Sequence, residues 1–169
     1  MLRAPTAIEH ALERAQELRL ALDGGALFTE LAEKMCGQEV TADIERVNPP
    51  SLWAHEADQM DVPYDSNWVA LRRTGWLVQA DAARVARVTS VVLLSRITLD
   101  EARLLQTTST PLGKVLGPDA RGRVLETSME ITEFAVHCRR LILRDDGATA
   151  LTTEQVLWSW LCQVDSPDI

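Results

Sequence analysis

A chain of 169 residues, 46% hydrophobic and 25% charged, is long enough to bury a core of its own, so a single domain over residues 1–169 is expected. It is too apolar for a disordered chain, and no apolar run approaches the ~20 residues a transmembrane helix needs. A net charge of −8 argues against nucleic-acid binding, which needs a basic footprint, and means that any anionic ligand must be held by local arginines against the global field.

The first residues carry one basic side chain and then acidic ones in an amphipathic pattern, which is not that of a signal peptide. Thr6-Ala7-Ile8-Glu9 is a capping box, and Ile8, Leu12, Ala15, Leu18 and Leu22 follow at helical spacing until Asp23-Gly24-Gly25. A second helix is expected from about Ala26, with Leu27, Leu31 and Met35 on one stripe and Gly37 as a left-handed cap. Val40, Ala42 and Ile44 then alternate with Thr41, Asp43 and Glu45, the mark of a half-buried strand. Residues 48–67, with Pro49-Pro50, Pro63 and several acidic groups, show no period and read as a long surface loop, a candidate lid. His55, Glu56, Asp58 and Asp61 lie there. They are metal-ligand types, but a lone histidine does not make a convergent set, and the expectation is a solvated loop with no metal.

Trp68–Gln79 and Arg84–Leu94 read as a hairpin around 80–83. The first strand is apolar on both faces, so one of Arg72 and Arg73 must point into an apolar layer. A buried guanidinium there needs an anionic partner from the protein or from a ligand, unless it snorkels to an edge. The stretch from Leu99 to Gly117 carries a second capping box, Thr98-Leu99-Asp100-Glu101, and Pro111 suits the first turn of a further short helix. It can take the chain across one end of a sheet. Residues 123–136 are expected as one strand, and 139–144 and 149–157 as a hairpin around Asp145-Asp146-Gly147-Ala148. Five or six antiparallel strands, with helices grouped at the start and middle, give an α+β domain with a single sheet.

Three cysteines, Cys36, Cys138 and Cys162, are far apart and without a CxxC, as expected for free thiols in a reducing cytoplasm. There is no dinucleotide fingerprint, phosphate loop, nucleophile elbow or HExxH, and His10, His55 and His137 are isolated. A site without nucleophile or metal fits best. Glu154, within LTTEQVLW, interrupts an otherwise apolar and Thr-rich strand. It faces either solvent or a pocket, and in a pocket burial favours the neutral acid, a candidate proton donor. An arginine on a neighbouring strand would complete a pair able to orient a small polar acid.

The run TSTPLGKVL, preceded by a helical RL, together with LDGGALFTELAEKMCGQEVTADIERV, RRTGWLVQADAARVARVTSVVLLSRI and RRLILRDDGATALTTEQVL, resembles in order and spacing the chorismate–pyruvate lyase family, over roughly Leu18 to Leu157. The resemblance implies an antiparallel sheet with helices enclosing a pocket, and the cofactor-free elimination of pyruvate from chorismate to give 4-hydroxybenzoate. By position it implies Glu154 as general acid and Arg72 as the clamp on the ring carboxylate, because its odd separation from Thr89 keeps the two facing in the hairpin. Arg73, one register away, is the alternative. Leu27 and Leu112 match positions whose backbone amides help hold the carboxylate. Thr89 stands where relatives can carry a second charged residue, and Arg87, two residues earlier on the same face, is the candidate to compensate. The expected partner is a small aromatic or pre-aromatic acid. A non-catalytic ligand-binding domain, and the same scaffold turned to another substrate, are the two other readings.

Overall fold

A computed structural model describes residues 3–4, 6–48, 51–64, 69–130, 132–145 and 147–165. Of the expected features, Pro49-Pro50, Asn67, Trp68 and Asp146 lie outside the described residues. The chain is α+β, one antiparallel sheet of six strands in the order β1-β2-β3-β6-β5-β4 with six helices on it. The strands are β1 (Val40–Asn48), β2 (Ala70–Gln79), β3 (Arg84–Leu93), β4 (Arg121–Met129), β5 (Phe134–Arg144) and β6 (Gly147–Leu157). Each half, β1-β2-β3 and β4-β5-β6, is a meander of neighbouring strands, and β3 against β6 joins the halves at the centre.

Helices α1 (Ala7–Asp23) and α2 (Phe28–Cys36) open the chain. Thr6 and Glu9 form the expected capping box, and Gly37 closes α2 at φ 65°, a left-handed conformation that suits glycine. The buried stripe of α1 is Ala11, Ala15, Leu18, Ala21 and Leu22, whereas Ile8 at the first turn is 58% exposed. The stretch expected as a featureless loop contains α3 (Ala54–Met60), whose Ala57 and Met60 pack with Leu52 and Val62 on the sheet. The expected strand over 123–136 is two: β4 ends at Met129 and β5 begins at Phe134, with the Glu130 N–H returning to the Ala135 carbonyl across the corner. Between the halves the chain runs through a short 3-10 helix (Leu94–Arg96), α4 (Leu99–Thr107) and α5 (Leu112–Leu116). The second capping box, Thr98 with Glu101, starts α4, and Pro111 is the N-cap of α5. Ser109 accepts from the Ala42 N–H of edge strand β1 at 2.8 Å, and Leu105, Val115 and Leu116 pack with Leu71, Val92, Ile142 and Ala150, so this segment covers one face of the sheet. The last helix, α6 (Trp158–Leu161), packs Trp160 and Leu161 into the core. None of the described helices is long and apolar enough to cross a membrane.

Strand alternation and register sort the side chains into rows. On the face carrying α1, α2, α4 and α5, Leu77, Ala86, Val156 and Val136 form an apolar row in the core shared with α1, α2 and α6. At the other end Leu71, Val92, Ala150 and Ile142 form a second apolar row, packed under Leu105, Val115 and Leu116. Between them run two different rows: Gly75, Val88, Glu154 and Cys138, then Arg73, Ser90, Thr152 and Arg140. On this face, buried Arg73, Ser90, Arg140, Thr152 and Glu154 therefore lie where two apolar clusters meet.

Candidate functional site

Over those two middle rows, between α2 and α5, lies a cavity with about 610 Å³ of empty space, its mouth included. Phe28, Ala42 and Leu77 come to it from one apolar cluster, and Leu116 and Ile142, with Leu27 and Leu112, from the other. Its charged lining is Arg73, Arg140 and Glu154 alone among the described residues. All three are at most 4% exposed.

Glu154 and Arg140 stand diagonally across the β5–β6 hairpin, since Arg140 is opposite Thr152 and Glu154 opposite Cys138. Arg140 Nη2 donates to Glu154 Oε1 at 2.7 Å, and the Thr152 hydroxyl donates to the same oxygen at 3.2 Å. The other end of the fork, Arg140 Nη1, donates to the Ala26 carbonyl at 2.7 Å, tying the α1–α2 turn to the sheet. This side chain fits because residue 122 is glycine: a Cβ there would sit 2.5 Å from Nη1. Burial lowers the Arg140 pKa, but the charge and hydrogen bonds of Glu154 outweigh it and the net shift is upward.

Arg73 is held differently. Nη2 donates to the Thr110 carbonyl at 3.0 Å, while Nε is sealed from solvent with no partner. No carboxylate among the described residues pairs with it, and burial alone brings its pKa down to about 10. An incompletely satisfied guanidinium inside an apolar cavity is a costly arrangement for the folded chain.

Arg72 points the other way. Its register partner is Val91, which puts it with Thr74, Thr89 and Thr153 on the face that carries α3. There its fork meets Glu56 at 2.6 and 2.8 Å, with the guanidinium carbon 4.1 Å from the centre of the Trp53 ring. Glu56 also accepts from the Trp53 N–H at 3.0 Å, so one buried carboxylate starts α3 and neutralises Arg72. Arg72 and Thr89 do share a face, as their spacing requires, but that face is not the one bearing Glu154. As a correction to the sequence expectation, the arginine that lines the cavity with Glu154 is therefore Arg73, and Arg72 is bound internally.

Thr89 borders the cavity, yet alternation gives its side chain to the α3 face, where it also lines a cleft with Trp53, His55 and Arg72. Arg87 lies outside the cavity: it pairs with Glu45 at 2.8 Å over the Trp76 ring. Leu27, the N-cap of α2, and Leu112, the first residue of α5, both line it. Their amides belong to the helix-initial positions that lack an intrahelical acceptor. Arg140 is not singled out by sequence: counting back from the turn, where Arg144 is opposite Gly147, sets Arg140 opposite Leu151 and Glu154 on the other face, and it is the register shift between Ile142 and Leu143 that brings the two to one face.

Cys138, directly opposite Glu154, is 1% exposed, and burial followed by the Glu154 charge pushes its thiol up to about 12. It remains protonated and inert. No cluster of three or more histidine, cysteine or carboxylate side chains able to hold a metal ion exists among the described residues. What the arrangement offers chemically is one guanidinium without a carboxylate partner and, beside it, a buried arginine–glutamate pair. No family model matches this chain, and no curated protein matches it.

Proposed function

We propose that the protein is a chorismate lyase-like enzyme, eliminating pyruvate from chorismate to give 4-hydroxybenzoate. The observation that carries this reading is one cavity between two apolar clusters, holding an arginine without a carboxylate partner beside an arginine–glutamate pair. The order of motifs along the chain supports it. In this reading the ring carboxylate docks on Arg73, with the Leu27 and Leu112 amides beside it. Glu154, carrying a proton, gives it to the ether oxygen as the bond from ring carbon to that oxygen breaks. The neighbouring ring carbon, which keeps its hydroxyl, loses its hydrogen and the ring becomes aromatic. The released enolpyruvate tautomerises to pyruvate. No bond to the protein forms, so the catalytic contributions are positioning, electrostatics and exclusion of water.

Chorismate and purified protein, with no added metal or cofactor, should yield 4-hydroxybenzoate and pyruvate by mass. Glu154→Gln should lower kcat far more than it changes KM. Folded protein that gives no product, and whose Tm does not rise with 4-hydroxybenzoate, overturns the reading. A second reading is favoured by the charge count: with Arg140 neutralised by Glu154, the cavity has a single uncompensated cation, which suits a monocarboxylic substrate on the same scaffold. Product from a monocarboxylate, with none from chorismate, selects it.

A further inference from the structure

The cavity's charges add up in a way that constrains its ligand. Arg73 and Arg140 supply two positive charges and Glu154 one negative, and no other described residue that lines the cavity is charged. A monocarboxylate brings the sum to zero. A dicarboxylate leaves one negative charge in a space bounded by apolar clusters, where an uncompensated ion is expensive.

Geometry adds a second constraint. Arg73 and Arg140 end the same row of side chains, Arg73–Ser90–Thr152–Arg140, three strand spacings apart. At ~4.8 Å per spacing the Cα positions are about 14 Å apart, and both side chains line the cavity. The two carboxylates of one ligand would each need one of these guanidiniums. Arg140, however, already spends its fork on Glu154 and on the Ala26 carbonyl.

We infer that the cavity binds a dicarboxylate only together with one proton, which goes to Glu154, and a monocarboxylate without one. The second ligand carboxylate takes the Arg140 fork from Glu154; Glu154, buried and without its cation, becomes the neutral acid. Facing it are Arg140 and Cys138 from β5 and Arg73 from β2. Cys138 stays a thiol, and the Asp23 and Arg19 charges of α1, which reach Cys138, act on it in opposite directions. Glu154 is therefore the group in this set that can absorb the charge. The inference rests on the lyase reading for the identity of the dianion, and it explains how a glutamate paired with arginine is armed as an acid: the substrate's second carboxylate arms it. Through turnover the proton passes to the leaving enolpyruvate, the ring hydrogen replaces it on Glu154, and it departs to water as the pyruvate anion leaves. Charge and protons balance around the cycle.

The test is titration calorimetry of the full chain in two buffers of different protonation heat, with 4-hydroxybenzoate and with the unreactive dianion m-carboxymethoxybenzoate. Uptake of about one proton is expected with the dianion and none with 4-hydroxybenzoate, and the dianion's affinity should fall roughly tenfold per pH unit above neutrality. In Glu154→Gln the uptake and the pH dependence should both vanish while the dianion still binds. Dianion binding without proton uptake, or uptake that persists in Glu154→Gln, overturns the inference; if chorismate is still turned over, the lyase reading stands. A protein that binds the monoanion but excludes the dianion at every pH, or binds neither, overturns both.

Discussion

Arg72 and Arg73 are adjacent in sequence, both buried, and opposite in role, so the same substitution at each should separate stability from binding. Arg72→Met removes one half of a pair whose other half, Glu56, is 2% exposed and accepts two guanidinium bonds at 2.6 and 2.8 Å. Breaking such a pair from one side leaves a buried, unpaired charge, at a cost of about 3–5 kcal/mol. That is a large share of the 5–15 kcal/mol that holds a typical domain together. Arg73→Met removes a cation with one carbonyl bond, an Nε without a partner and a pKa that burial alone pulls to about 10. A base whose folded pKa is depressed costs the fold stability at neutral pH, so its loss should leave stability within about 1 kcal/mol of wild type, or raise it. Affinity for 4-hydroxybenzoate should show the reverse pattern. Loss of a charged hydrogen-bond partner costs roughly 1.5–3 kcal/mol, about ten- to a hundredfold in Kd, for Arg73→Met, with little change for Arg72→Met wherever it remains folded. Urea unfolding and calorimetric titration measure the two quantities. If Arg73→Met is destabilised as much as Arg72→Met and binds the acid as wild type does, the assignment of the two faces is wrong.

Glu101, bonded to both guanidinium nitrogens of Arg144, has its carboxyl held down at about 2, chiefly by those hydrogen bonds and further by the Thr98 N–H, against a value of 4.5 when unfolded. Its stabilisation is therefore complete above about pH 4.5 and lost as pH falls through about 2; acid unfolding of Glu101→Gln should lack this component, and an unchanged profile contradicts it. At Gly75 a Cβ would overlap the Asp43 carbonyl oxygen and sit 2.9 Å from Ile44 Cα, so Gly75→Ala should displace β1 and cost about 2 kcal/mol or more, seen as a lower urea midpoint. Under native conditions a thiol reagent should modify exposed Cys162 first and leave Cys138 untouched until the chain unfolds; mass mapping of the labelled peptides checks the order.

The elements legible in the sequence are those whose signals are local. The capping boxes at Thr6 and Thr98, the left-handed cap at Gly37 and the Asp-Gly hairpin each depend on residues within a few positions of one another. What escaped notice depends on distant partners. Alternation shows that Arg72 and Arg73 face opposite ways, but β2 is covered on both sides, so no polar face marks which is which. The deciding residue, Glu56, belongs to a helix of seven residues, too short for a periodic signal and set between prolines. The strand expected over 123–136 failed for a similar reason: its corner at 130–133 has neither glycine nor proline to announce it. Glu154 drew attention because a carboxylate is out of place in that strand, whereas Arg140, beside Arg139, passed as half of a basic pair.

The sheet's division into two meanders gives the site an unusual dependence. Arg73 comes from the first half of the chain, Arg140 and Glu154 from the second, and the central strand pairing between β3 and β6 is what sets them side by side. Neither half can assemble the cavity from its own residues. A bound acid would thus act as a clasp across the seam, strengthening the one joint on which the union of the two halves depends, and occupancy would report on the whole molecule rather than on either part.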